Sequence, residues 1–315
     1  MDGRVRTTSV SVNISSNCPL MGNAKGYHMT LRLAIPNKGR LNERSVELLL
    51  KSGLDLGEEW GRRLYVSARN QDIEIMFVRA QDIPELVNSG AIDIGITGLD
   101  QVAESGYPLE NVLNLEFGYC RLSVAVPESS GIRRVEDIPA GCRVATSFPQ
   151  ATGRFFEARG KDVRVVLVSG AAEIMPYLGV SDIIVDLVSS GSTLKMNRLL
   201  EIGTIVKSQA AMVTTKDTLR ERSKEIEDIV NSVRSVIDAE GRKYLMADVP
   251  RSRLKEVERM LPGIGGPTVM EIAGRPDMVA IHVVISKNEI YGAINDLKRI
   301  GAQGILTLPI DRLVQ

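Results

Sequence analysis

The chain has 315 residues, 43% of them hydrophobic and 25% charged, a composition that supports two or three domains with cores of their own. Its 39 basic and 39 acidic residues cancel, which removes any global field for gathering nucleic acid or an anionic membrane and leaves anion recognition to local clusters. No apolar run reaches bilayer length, and Cys18, Cys120 and Cys142 are too scattered for a disulfide framework or a zinc cluster, so a reducing, cytoplasmic setting without membrane or nucleic-acid partners is expected.

In chain order, residues 1–28 are polar and lack a signal-peptide core, which predicts a disordered extension with Met29 as a candidate start. Short β-rich runs then alternate with helix-like segments. The runs are LRLAI (31–35), IEIMFV (73–78), IDIGIT (92–97), RLSVAV (121–126), CRVAT (142–146), VRVVLV (163–168) and DIIVDL (182–187). NERSVELLLKSG, QDIPELVNSG and QATGRFFEARG lie between them, each closing on a glycine as helix ends do. Such alternation predicts an α/β fold of parallel sheets covered by helices. Leu219, Ile226, Ile229, Val230, Val233 and Ile237 recur at helical spacing, predicting one long amphipathic helix over 217–240 that acts as a connector. The remainder reads strand, helix, strand, strand, helix, strand, the ferredoxin-like βαββαβ order.

One stretch carries chemistry. In IIVDLVSSGSTL (183–194) a strand ends at Asp186 and runs into Ser189, Ser190, Gly191, Ser192 and Thr193 before helical pattern resumes. Backbone N–H groups at such a turn lack partners and favour an anion, glycine permits close approach, and the hydroxyls add donors. Asp186 is wrongly charged for phosphate but suited to accept from sugar hydroxyls, so the stretch suits a sugar phosphate; ordinary helix capping by Ser and Thr explains it equally well.

The stretch resembles the 5-phosphoribosyl-diphosphate loop of phosphoribosyltransferases. Together with the preceding segment from Glu173 it resembles the signature of the ATP phosphoribosyltransferase family of histidine biosynthesis. LRLAIPNKGRL, DIPELVNSGAIDIGITGLD, CRLSVAVP, VATSFPQ and LPGIGGPTVMEIA match the same family in order and spacing, from about Leu31 to the end. Because the match continues through the βαββαβ unit, it implies the long form with its own regulatory domain.

The resemblance implies a two-lobed, type II periplasmic-binding-protein-like catalytic core followed by an ACT-like ferredoxin-like domain. Its boundaries would be residues 29–118 with 208–220 as lobe I, 119–207 as lobe II, 221–242 as the connector helix and 243–315 as the regulatory domain. It implies a reaction joining N1 of ATP to C1 of phosphoribosyl diphosphate, with loss of pyrophosphate in the presence of Mg2+. The two histidines, His28 and His282, fall outside the expected catalytic core, so no histidine base is available there and positioning and electrostatics must dominate. By motif matching, Asp186 would hold the ribose hydroxyls, Ser189 to Thr193 the 5-phosphate, and Glu173 the ribose or magnesium. Lys38 and Arg40 would face pyrophosphate or ATP phosphates, or else form a solvated basic turn; Arg79 and Arg121 are lesser candidates of the same kind. Asp100 would contact a nucleotide or cap a helix. Magnesium ligands and the surface that holds adenine are not assigned.

In the C-terminal unit the resemblance implies inhibitory histidine at a subunit interface of a homo-oligomer, dimer or hexamer. Asp248 would meet the amine, although as a strand-end residue before Pro250 it also reads as a plain turn. Ile264, Thr268 and Val284 would line the pocket, and Gly304 stands where family members carry a small residue such as Ser or Ala. Two other functions compete: a phosphoribosyltransferase acting on another base, and a non-catalytic ligand sensor.

Overall fold

The structure, a computed structural model, describes residues 30–57 and 63–314, so the extension expected over 1–28 lies outside the described residues. The first sheet is built on β1 (Leu31–Pro36), β3 (Ile73–Val78) and β4 (Ile94–Gly98), which are mutually parallel, with β1 and β4 buried along almost their whole length. Runs without polar alternation are what a sheet covered on both faces requires. β2 (Tyr65–Ser67), β5 (Leu109–Asn114) and β11 (Ala210–Thr215) complete the order β2-β3-β1-β4-β11-β5, and α1 (Gly39–Lys51), α2 (Ile83–Asn88) and α3 (Leu99–Ser105) connect its strands.

The second sheet has the order β10-β6-β9-β7-β8, from β6 (Cys120–Pro127), β7 (Cys142–Thr146), β8 (Val163–Leu167), β9 (Ile183–Val188) and β10 (Leu199–Ser208), with α4 (Pro149–Glu157) and α5 (Ser192–Met196). The two sheets share a plan. In each, three parallel strands stand second-first-third (β3-β1-β4 and β8-β7-β9), and an antiparallel strand arriving from the other lobe (β11 or β6) lies beside the third. This is the two-lobed, type II arrangement. Purely parallel sheets were expected, but both are mixed, because the chain crosses between lobes after β5 and again after β10 and each arriving strand runs counter to its host.

The amphipathic stretch forms two helices, α6 (Lys216–Glu221) and α7 (Ser223–Ala239), broken at Arg222, whose backbone (φ −122°, ψ 34°) leaves the helical region. Arg222 ties the break to the first lobe through Asp93 at 3.0 Å. Ile226, Ile229, Val230, Val233 and Val236 are buried with Leu33, Leu48, Leu49 and Ile75, so α7 completes the core of that lobe rather than merely linking domains. The apolar stripe was readable; the surface that buries it is tertiary information.

The third sheet, β13-β14-β12-β15, is wholly antiparallel: β12 (Arg242–Pro250), β13 (Thr268–Glu271), β14 (Met278–Ser286) and β15 (Gln303–Pro309). With α8 (Leu254–Met260) and α9 (Ile290–Arg299) it gives the ferredoxin-like βαββαβ unit, cored by Leu245, Val249, Val257, Ile281, Val283 and Leu297.

Candidate functional site

β9 delivers Asp186 at its carboxyl end. Asp186, Glu173 and the loop residues Ser189, Ser190, Gly191 and Thr193 line one cavity of about 250 Å³. Gly191 adopts φ +78°, a left-handed conformation that glycine takes without penalty and that turns the chain into α5. Ala171, two residues before Glu173, also has positive φ (51°), a conformation that costs a non-glycine residue free energy and aims the acidic turn at the same cavity. The Ser190 and Ser192 hydroxyls hydrogen-bond each other at 2.9 Å, which leaves donors and acceptors on the open loop. The helix expected after the loop is one turn of five residues, ended by the Asn197 N–H and side-chain amide donating to the Thr193 carbonyl, so loop donors rather than a long helix dipole face the cavity.

Burial pushes the Asp186 carboxyl above the ordinary aspartate range, and the Glu173 charge pushes the same way against a hydrogen bond from the Leu187 N–H. Two carboxylates in one small cavity make a poor free anion site but a good receiver for hydroxyls or a cation. Among the described residues no group of three or more His, Cys, Asp or Glu could hold a metal by itself. A pair of carboxylates does suit magnesium carried in on phosphates, since that ion retains most of its ligands from water and substrate.

The first lobe offers the opposite chemistry. Lys38, Arg40 and Arg79 line a cavity of about 580 Å³ with Asn37 and Gln101. The Asn37 N–H donates to the Val78 carbonyl at 2.7 Å and the Asn42 amide to the Pro36 carbonyl at 2.7 Å, which pins the turn after β1 beside the end of β3. α1 has no side-chain cap and no acidic residue in its first turn, so its N-terminal N–H groups add to the positive field. None of the three cations forms an ion pair or side-chain hydrogen bond with a described residue, which suits them to polyphosphate.

Two expected contact residues have other occupations. Asp100 is 5% exposed and lines neither cavity; it accepts the Ser208 hydroxyl at 2.5 Å and the Gln101 amide at 2.8 Å, so its carboxylate holds Gln101, which lines the first lobe's cavity. Arg121 forms a two-pronged pair with Glu201, 2.6 Å at each prong, and donates to the Ser189 carbonyl at 3.1 Å. Its charge is already matched. Glu104 gave no sequence signal, yet its two oxygens accept the Gln150 and Ala151 N–H groups at 2.9 Å, clasping the end of α3 in one lobe to the start of α4 in the other. α3 and α4 follow the carboxyl ends of β4 and β7, so this clasp turns those ends of the two sheets towards each other, where α/β folds bind ligands.

The five residues expected around histidine fall into separate places on the third sheet. Ile264 and Val284 line a cavity of about 770 Å³ with Arg242, Glu289 and Asp296. Asp248 stands farther along β12, 4.0 Å from Arg275 and beside Gly304, where an added Cβ would lie 3.6 Å from its carboxylate. Thr268 pairs with His282 across β13 and β14 and is exposed. One chain alone does not gather them.

Residues 79–235 match the family model described as ATP phosphoribosyltransferase, and residues 239–312 match the C-terminal domain model of the same family. The ATP phosphoribosyltransferase of Gemmatimonas aurantiaca is 47% identical over 90% of this chain and 99% of its own length. That of Methanocella arvoryzae is 44% identical over 90% of this chain and all of its own. A chain of the ATP phosphoribosyl transferase (HisG:HisZ) complex from Thermotoga maritima matches with TM-score 0.60 at 30% identity, covering 66% of this chain and 98% of that one. Both family domains are thus present in order on one α/β chain, which belongs to the ATP phosphoribosyltransferase family of transferases in its long form.

Proposed function

We propose that this chain transfers the 5-phosphoribosyl group of phosphoribosyl diphosphate to N1 of ATP and is inhibited by histidine. The observation that carries the reading is the division of charge: two carboxylates and a hydroxyl-rich loop in one lobe, three cations unmatched among the described residues in the other. The loop N–H groups and hydroxyls receive the 5-phosphate, Asp186 and Glu173 receive the ribose hydroxyls, and Lys38, Arg40 and Arg79 receive the polyphosphates. The N1 lone pair forms a bond to C1 while the C1–O bond breaks, its electrons leaving with pyrophosphate. Carboxylates near the sugar favour the positive charge that develops at C1, and fixed cations favour the departing anion. No side-chain nucleophile is required, and the one described histidine, His282, stands in the third sheet. Asp186 and Glu173 would hold magnesium together with the substrate's oxygens; when bound, it spreads the charge of the leaving pyrophosphate.

For regulation, Arg242 lines the 770 Å³ cavity, and its buried Nη1 has no hydrogen-bond partner among the described residues, so a small side-chain shift would offer a donor to a ligand carboxylate. An amino acid meets such a donor at one end and carboxylates such as Glu289 or Asp296 at the other. Because Asp248, Thr268 and Gly304 stand apart from this cavity, a second copy of the chain would be needed to join all five residues around histidine. Formation of the N1-ribosylated nucleotide from ATP and phosphoribosyl diphosphate, suppressed by histidine, tests the proposal. Pyrophosphate release with a free base but not with ATP would reassign the acceptor.

A further inference from the structure

Phosphate loops work only while their N–H groups point at the ligand, and nothing within residues 189–193 fixes the peptide after Ser189. The constraint comes from the neighbouring strands. Arg121 and Ser123 on β6 stand directly opposite Val188 and Asp186 on β9, so all four side chains emerge on the face of the sheet that carries the cavity. Glu201 on β10 pairs with Ala125, on that same face, and a bulge follows it. Its Oε1 accepts both Arg121 Nε at 2.6 Å and the buried Ser123 hydroxyl at 2.8 Å, and its Oε2 accepts Arg121 Nη2 at 2.6 Å. Arg121 is left with Nη1, which donates to the Ser189 carbonyl at 3.1 Å. In a trans peptide the next N–H points opposite the carbonyl, so this bond turns the Ser190 N–H away from Arg121.

We infer that Glu201, with Ser123, is a positioning residue for the sugar-phosphate loop, acting through Arg121 on the Ser189 carbonyl. Neither Glu201 nor Ser123 lines the cavity. Glu201 does two things at once. It holds the guanidinium in one orientation, and it cancels a charge that would otherwise draw the 5-phosphate off the loop towards β6. The two side chains are still 32% and 25% exposed, so water screens the pair and its role is geometric more than a contribution to folding stability. Because the loop grips the same group in the ground and transition states, loosening it raises KM and leaves kcat nearly unchanged. The inference rests on the reading of the loop as a phosphoribosyl site.

The test is Glu201→Gln, which keeps the shape of the side chain and removes the charge. Ribose 5-phosphate is titrated by calorimetry, and KM for each substrate is measured in the full-length protein. The expected result is about a tenfold loss of ribose 5-phosphate affinity with an equal rise in KM for phosphoribosyl diphosphate, while KM for ATP stays within about twofold. Arg121→Gln behaves alike, and the double variant is no worse than the worse single one, as for residues acting in series. Ribose 5-phosphate affinity within about twofold of wild type in Glu201→Gln, or additive losses in the double variant, overturns the inference. Should Glu201→Gln fail to fold, Ser123→Ala, which removes one hydrogen bond, is expected to lose about threefold in the same titration; no loss overturns the inference there too. Wild-type protein that binds ribose 5-phosphate without turning over ATP would refute the proposed reaction and leave the loop inference to be decided by the titration alone.

Discussion

At the scale of single residues, Asp186 carries the most chemistry. Its replacement by Ala is expected to lower turnover about 10³-fold with circular dichroism unchanged; unaltered turnover would remove it from the site. The direction of its proton affinity gives a second test. The folded protein holds this proton more tightly than the unfolded chain does, chiefly through burial, so the ionised form weighs against the fold at neutral pH and that cost is relieved as pH falls towards the raised pKa. Asp186→Asn is therefore expected to be at least as heat-stable as wild type at pH 7 although inactive, and a lower Tm would contradict this account. In the wild type the same direction is expected to shift the acid-side loss of activity upward, which a pH–rate profile checks. Gly191 is conformational rather than chemical: Gly191→Ala places a side chain at φ +78°, costs about 1–2 kcal/mol locally and raises KM for phosphoribosyl diphosphate. Asp186 and the hydroxyl loop stood out as candidates from the strand-to-turn pattern itself, whereas Lys38, Arg40 and Arg79 did so only through the family resemblance. Glu201 did not stand out, because an acidic residue acquires that role only from the strand pairing that sets it beside Arg121 and Ser123.

Among the elements, apolar runs with β-branched residues announced β1, β3, β4, β6, β7, β8 and β9, and the βαββαβ order of the third sheet was readable throughout. β2, β5, β10 and β11 were not recognised as strands. β2 has three residues, β5 is a half-polar edge strand, and β10 is interrupted by two bulges that spoil its alternation. α7 shows the other limit, since spacing marks which face is apolar but not what covers it. Its burial makes a clear prediction: Val233→Ala, fully buried in the first lobe's core, destabilises the catalytic lobes by about 1–3 kcal/mol, whereas an exposed connector would tolerate it. Hydrogen exchange checks this, with protection expected to fall across β1, β3 and β4 and not across β12 and β14. At the lobe contact, Glu104→Ala removes acceptors for two N–H groups at the start of α4 and is expected to cost about 1 kcal/mol in urea unfolding.

On the scale of the whole molecule, two lobes of one topology present opposite charge at the carboxyl ends of their strands, and a third sheet carries a separate cavity bordered by Arg242. A chain of zero net charge can offer a site to polyanions in this way because Lys38, Arg40 and Arg79 gather at one cavity while the 39 basic and 39 acidic residues cancel overall. If histidine binds the third sheet, it stabilises the folded protein by mass action, by about 2.7 kcal/mol at a hundred times its Kd, and a thermal scan with histidine against alanine reads that shift. The most direct test of the central claim is the ultraviolet absorbance of purified protein mixed with ATP, phosphoribosyl diphosphate and magnesium, with pyrophosphatase to draw the reaction forward. Substitution at N1 changes the adenine chromophore. The account predicts a rise in absorbance that requires both substrates, is lost in Asp186→Ala and is suppressed by histidine; a signal that persists in Asp186→Ala, or none from folded wild-type protein, would contradict it.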